Sequence, residues 1–133
     1  LVGPDAESAQ WVTDVADRVG APSVVMRKTR RSDRAVEVSA PDMEAYRQHT
    51  PVVVDDLVSS AQTMVETVKR LVAAGLRAPI CVAVHALVSD TAEQALLNAG
   101  AARIATTTSV PHSTNMIDVV PLMISAIREF ADG

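Results

Sequence analysis

The 133-residue sequence predicts an α/β fold, a parallel β-sheet flanked by helices on both faces. Two observations carry that prediction. Short β-branched runs alternate with segments of roughly ten to fifteen residues whose apolar positions recur at helical spacing. The composition, 48% hydrophobic, suits one domain that buries about two thirds of its unfolded surface, so residues 1–133 are read as a single domain.

The elements follow in order along the chain. "LVGPD" at Leu1 is strand-like, and Trp11, Val12, Val15, Ala16 and Val19 then share one helical face, with Gly20 placed for a left-handed C-terminal cap. "SVVM" at Ser23 and "AVEV" at Ala35 are strand candidates. Between them "RKTRRSDR" carries five cations and one acid, which reads on charge alone as a solvated loop. "SAPDMEAYRQHT" reads as a connection with one helical turn. "PVVV" at Pro51 is the next strand, and Met64, Val65, Val68, Leu71 and Val72 form the stripe of a second helix that stops before Gly75. "PICVAVHALV" at Pro79 is a buried strand. A third helix is expected from Asp90, with Glu93 completing a capping box. "RIATTT" at Arg103 is the last strand expected, and a fourth helix runs from about Ile117, with Pro121 tolerable only in its opening turn. No repeat or low-complexity segment interrupts the pattern.

Charge and composition exclude several functions. A net charge of −4 argues against non-specific binding of nucleic acid or anionic membranes. Trp11, Tyr46 and Phe130 are too few and scattered for a base-stacking platform. The single Cys81, inside an apolar run, is expected to be a core thiol and suits a reducing compartment. No apolar stretch reaches bilayer-spanning length and no signal-peptide pattern is present, so the expectation is a soluble cytoplasmic protein. The chain starts at Leu1 within a strand-like segment, which reads as a piece of something longer. No pair of histidines or cysteines has transition-metal spacing; His85 reads as a core or rim residue, and His49 and His112 have no evident partners.

In a parallel sheet, sites belong at the carboxyl ends of the strands. There the chain places Asp55 and Asp56, then Leu57 and Val58, then Ser59, Ser60, Ala61, Gln62 and Thr63 before the second helix. The unpaired amides of a helix start, its dipole and the hydroxyls of Ser59, Ser60 and Thr63 suit one bound phosphate. Adjacent carboxylates cannot cradle a phosphate, but they can accept from vicinal hydroxyls or hold water on magnesium. The other reading is that Asp55 and Asp56 cap the helix and the serines make a turn. Local chemistry does not choose between the two.

These residues also carry a resemblance. "VVVDDLVSSAQTM" resembles the ribose-5-phosphate loop of phosphoribosyltransferase-type proteins, and four further segments narrow the likeness: "GPDAESAQWV", "RKTR" with "VEV" after it, "VAVHALVSD" and "TTTSVPHSTNMIDVVPLM". Their order along nearly the whole chain is similar to the carboxyl half of the ribose-phosphate pyrophosphokinase (phosphoribosyl pyrophosphate synthetase) family, and it implies the type I phosphoribosyltransferase fold and the C-terminal domain of a longer synthetase. The implied activity is transfer of diphosphate from ATP to ribose 5-phosphate, yielding phosphoribosyl pyrophosphate and AMP. By that resemblance Asp55 and Asp56 hold the ribose, the Ser59–Thr63 loop holds the 5-phosphate, Lys28 and Arg30 are catalytic residues on the transferring phosphates, and Asp5 is a ligand for Mg2+. Arg31 and Arg34 are weaker candidates, and for Asp5 a helix cap is the bland alternative, with its place at a strand's carboxyl end favouring the functional reading. ATP is expected to need the missing N-terminal half, so the isolated chain is expected to be incomplete as a catalyst, and the full-length enzyme is expected to be a homo-oligomer. Gln62 departs from the pattern, standing where the synthetases commonly have glycine; a side chain there narrows the pocket or forces a different backbone. Three competitors share parts of the pattern: a phosphoribosyltransferase consuming phosphoribosyl pyrophosphate, a non-catalytic regulatory homologue, and a receiver domain, whose acids should follow the first strand instead.

Overall fold

The computed structural model describes residues 1–32, 35–39 and 43–132, with the side chains of 28–32, 35–39 and 132 outside that description. Strands β1 (Val2–Gly3), β2 (Val24–Val25), β5 (Val52–Val58), β6 (Ile80–Ala86), β7 (Arg103–Thr107) and β8 (Asn115–Ile117) form one six-stranded sheet in the order β2-β1-β5-β6-β7-β8. Every neighbouring pair is parallel. Helices α1 (Ala9–Val19), α2 (Gln62–Ala73), α3 (Asp90–Asn98) and α4 (Val120–Asp132) supply the crossovers and the carboxyl-terminal element.

Alternation along β1 sorts the helices onto the two faces. Val2 belongs to the main core cluster, whereas a Cβ on its neighbour Gly3 would press on Ser8 and Val12. Successive strand residues point to opposite faces, so α1 covers one face and the main cluster lies on the other. On that other side, Met64 of α2 and Leu96 of α3 close over Cys81, Ala83, Ile104 and Thr106. Met64, Leu71 and Leu96 are each no more than 2% exposed. A side chain so buried contributes roughly 1.5–3 kcal/mol. Cys81 is a core thiol, its pKa pushed up to about 12 by burial.

Both predicted glycine caps are present: Gly20 closes α1 at φ 66°, and Gly75 lies just past α2 at φ 78°. The expected turn in the polar connection is a 3-10 turn over Glu44–Tyr46. Four expectations need correction. The cationic run is not a loop between sheet strands, because β3 (Arg27–Ser32) pairs antiparallel with β4 (Ala35–Ser39) as a separate two-stranded hairpin. "AVEV" is thereby a strand, but outside the main sheet. The N-cap of α3 is Ser89, whose Oγ accepts from the Ala92 amide at 3.3 Å, so Asp90 is the first helical residue and makes no capping box with Glu93. Ile117 ends β8, a short strand the sequence did not announce, and α4 starts three residues later with Pro121 in its first turn. Among the described residues no helix is long and apolar enough to cross a membrane.

Candidate functional site

The acids come together because β1 and β5 are hydrogen-bonded neighbours, with Val2 paired to Val53. Asp5 lies three residues beyond Val2 and Asp55 two beyond Val53, so both reach the same carboxyl edge of the sheet. Gly3 permits this arrangement: the turn after β1 packs the buried Ser8 against the strand, Ser8 Oγ donates to Asp5 O at 2.6 Å, and any Cβ at position 3 would collide with that hydroxyl. Asp5 caps the following 3-10 turn, its Oδ1 accepting from Glu7 N at 3.1 Å and from Ser8 N at 3.3 Å. The cap leaves its second oxygen without a hydrogen bond among the described residues.

Asp55 is half-buried and its pKa is raised to about 6, chiefly by desolvation. The Asp56 amide, donating to Asp55 Oδ1 at 3.0 Å, opposes the shift, and the negative charges of Asp5 and Asp56 add to it. Asp56 is exposed and accepts from Leu57 N at 2.8 Å. Neither carboxylate caps α2, so the capping alternative for the pair is not what the chain adopts. Among the described residues, no group of three His, Cys, Asp or Glu side chains is arranged to hold a metal.

Next to the acids, Asp55, Leu57, Val58 and the run from Ser59 to Met64 line an open cleft of about 280 Å³. Ser59, Ser60 and Gln62 are exposed there and Thr63 is partly so. The N-cap of α2 is Ala61, which has no oxygen to offer, and no acidic residue stands in the first turn. The first intrahelical bond of α2 runs from Val65 N to Ala61 O at 2.8 Å, so the preceding amides have no intrahelical acceptor. Ala61 is in the left-handed region at φ 59°, the one described non-glycine residue with positive φ. Such a conformation costs an L-residue roughly 1–2 kcal/mol. The sequence expectation had put the conformational burden on Gln62; it falls one residue earlier, and Gln62 is an ordinary first helical residue with its side chain in solvent.

Met26 N donates to Gly3 O at 2.9 Å, so the β3–β4 hairpin leaves the sheet from the same edge, beside Asp5. Lys28 and Arg30 sit on β3, paired with Val38 and Val36. Their side chains, that of Arg31 and the whole of Arg34 lie outside the described residues.

A network around β6 and β7 was not anticipated. His85 is at the rim and exposed, with Nδ1 2.9 Å from Ser109 Oγ; Ser109 Oγ and the buried Thr107 Oγ1 donate to Val84 O at 2.8 and 2.6 Å. Asn115 Nδ2 donates to Thr106 Oγ1, Thr107 O and Val110 O, which fixes the loop before β8. The run of threonines was the available signal, since buried hydroxyls need acceptors. His112 and His49 do have partners, Thr114 Oγ1 at 2.8 Å and the edge of the Tyr46 ring. Another hollow lies at the opposite edge of the sheet among Leu1, Val24, Met43, Tyr46 and Pro51. Its mostly apolar walls offer no set of donors comparable with the α2 cleft.

Comparison with known proteins agrees with this geometry. A ribose-phosphate pyrophosphokinase of Methanosarcina acetivorans is 30% identical over 128 residues, covering 96% of this chain and 45% of that protein. One from Sulfurisphaera tokodaii is 28% identical over 131 residues, again with 45% of the relative covered. The chain thus spans about 45% of the length of these curated relatives. The crystal structure of phosphoribosylpyrophosphate synthetase from Mycobacterium smegmatis superposes with a TM-score of 0.77 at 25% identity, over 99% of this chain and 45% of that one. Orotate phosphoribosyltransferase from Aeropyrum pernix shares the fold at a TM-score of 0.57 and 19% identity. Residues 1–121 match the phosphoribosyl transferase domain, and the chain belongs to that family.

Proposed function

We propose that this chain is the ribose-5-phosphate-holding, carboxyl-terminal domain of a ribose-phosphate pyrophosphokinase. The observation that carries the reading is the uncapped start of α2, opening into a cleft beside Asp55 and Asp56. A phosphate in that cleft accepts from the free amides and from the hydroxyls of Ser59, Ser60 and Thr63. Each charge-assisted bond of this kind contributes roughly 1.5–3 kcal/mol. The ribose hydroxyls then lie toward the carboxylates, which accept from them.

The residues present fit magnesium. Asp5 and Asp55 share one edge, and this ion takes one or two carboxylates while filling its other positions with water and phosphate oxygens, so a cage of three protein ligands is not required. Bound there, Mg2+ supplies charge neutralisation for a transferring diphosphate. The residues of the chain orient the sugar, and Lys28 and Arg30, carried on β3, supply positive charge that lowers the barrier of phosphoryl transfer. ATP is bound with the help of the remaining half of the synthetase, and the assembled enzyme is a homo-oligomer.

The test is calorimetric titration with ribose 5-phosphate and Mg2+. The parent chain is expected to bind with one site, and a chain carrying Asp55→Asn and Asp56→Asn to bind at least tenfold more weakly. Absence of binding by the parent chain would overturn the proposal.

A further inference from the structure

The hydrogen bonds around Val84 O decide which nitrogen of His85 carries the proton. Thr107 Oγ1 lies 2.6 Å from Val84 O and 2.8 Å from Ser109 Oγ, and Ser109 Oγ lies 2.8 Å from Val84 O and 2.9 Å from His85 Nδ1. A hydroxyl brings one proton to such a cluster and a carbonyl brings none. With Nδ1 unprotonated, Ser109 must spend its proton on the ring. Its approach to Val84 O, and one of the two made by Thr107, are then left as lone pair against lone pair. With a proton on Nδ1, the ring donates to Ser109 and Ser109 donates to Val84 O, so a single approach by Thr107 is left bare. The neutral ring therefore carries its proton on Nδ1, and Nε2 is an acceptor. Nε2 has no hydrogen-bond partner among the described residues, and His85 is exposed.

The fold sets that acceptor beside the proposed sugar site. In the parallel pairing of β5 with β6, Asp55 stands opposite Ala83 and Leu57 opposite His85. Residues two apart on a strand share a face, so Asp55, Leu57 and His85 emerge on the side where Ala83 joins the main core beneath α2. Asp55 and Leu57 line the cleft at the start of α2, and the neighbouring strand is about 5 Å away. The two nitrogens of an imidazole point to different sides of the ring. Ser109 follows β7 and holds Nδ1 on that side of β6, which turns Nε2 toward the opposite neighbour, β5.

We infer that His85 is a sugar-binding residue of this site: Nε2 accepts a hydrogen bond from a hydroxyl of the bound ribose, and Ser109 is the positioning residue that fixes the tautomer. Asp55, Asp56 and the imidazole present acceptors to the sugar from two adjacent strands, while the donors at the start of α2 face the phosphate. The inference rests on the reading of the cleft as a ribose 5-phosphate site, and it adds a residue that reads the sugar and not the phosphate.

The test is calorimetric titration of the parent chain, His85→Ala and His85→Gln with ribose 5-phosphate and Mg2+. His85→Ala is expected to bind about tenfold more weakly, the loss of one hydrogen bond, and His85→Gln, whose amide oxygen accepts in place of Nε2, to stay within about threefold of the parent. Inorganic phosphate, followed at the amides of Gln62 and Thr63, is expected to bind all three chains alike. A nitrogen NMR spectrum of the parent's histidine rings at mildly alkaline pH is expected to show His85 protonated on Nδ1. An unchanged ribose 5-phosphate affinity in His85→Ala, an equal loss for both ligands, or a proton on Nε2 would overturn the inference and leave the proposed function standing. A parent chain that fails to bind ribose 5-phosphate would instead strike the proposed function, and the inference with it.

Discussion

Helices α2 and α3 follow the neighbouring strands β5 and β6 at one edge of the sheet, yet their first turns are finished in opposite ways. At α3, Ser89 Oγ accepts from the Ala92 amide, and Asp90 and Glu93 set negative charge against the positive end of the dipole. At α2 the cap is an alanine, no acid stands in the first turn, and the backbone at Ala61 is held in a left-handed conformation with φ 59°. The same fold position is satisfied from within in one case and left open in the other. A helix start that gives up a cap, which typically adds about 1 kcal/mol, and also accepts backbone strain leaves its donors available to a ligand, as the proposed function requires.

Four substitutions or conditions would break or sharpen that contrast. The largest effect is expected from Ala61→Val, because a β-branched residue resists positive φ more than alanine does. Thermal unfolding should show a loss of about 2 kcal/mol, with ribose 5-phosphate binding lost as well. Ser89→Ala removes the α3 cap and should cost about 1 kcal/mol, or about 4 °C in Tm, while leaving the titration unchanged.

A comparable effect is expected from pH. Asp55 holds its proton more tightly folded, with a pKa of about 6, than unfolded, at 3.8. Between those values the folded state binds more protons, so stability is fully present below pH 4 and falls as pH rises through 6. Since the group is half exposed to solvent, about 1 kcal/mol is expected by urea unfolding between pH 4.5 and 7.5, and Asp55→Asn should flatten the curve. The smallest stability effect, and the only favourable one, is expected from Gln62→Glu. This gives α2 the acid that α3 already has, adding about 0.5 kcal/mol while weakening ribose 5-phosphate binding at least tenfold.

The contrast also explains how much was legible beforehand. Periodicity in Trp11–Val19 and in Met64–Val72, with Gly20 and Gly75 as stops, identified α1 and α2, because those patterns are decided locally. The strand–loop–helix run of acids and hydroxyls from Asp55 to Thr63 was readable for the same reason: its residues are contiguous. The positive φ at Ala61 was not, since local preference argues against it; the residue is packed in the core at 5% exposure, a tertiary fact. Nor was β8, whose three residues gain strand form from pairing Asn115 and Ile117 with Thr106 and Thr107, a long-range choice. The convergence of Asp5 on Asp55 needed the β1–β5 pairing.

The measurement nearest to the central claim is an amide-resolved NMR titration with ribose 5-phosphate. The account predicts saturable shifts at the amides of Gln62, Thr63 and Met64, with those of Ala92 and Glu93 unmoved. Shifts that appear equally at both helix starts, or binding that leaves residues 62–64 unchanged, would contradict it.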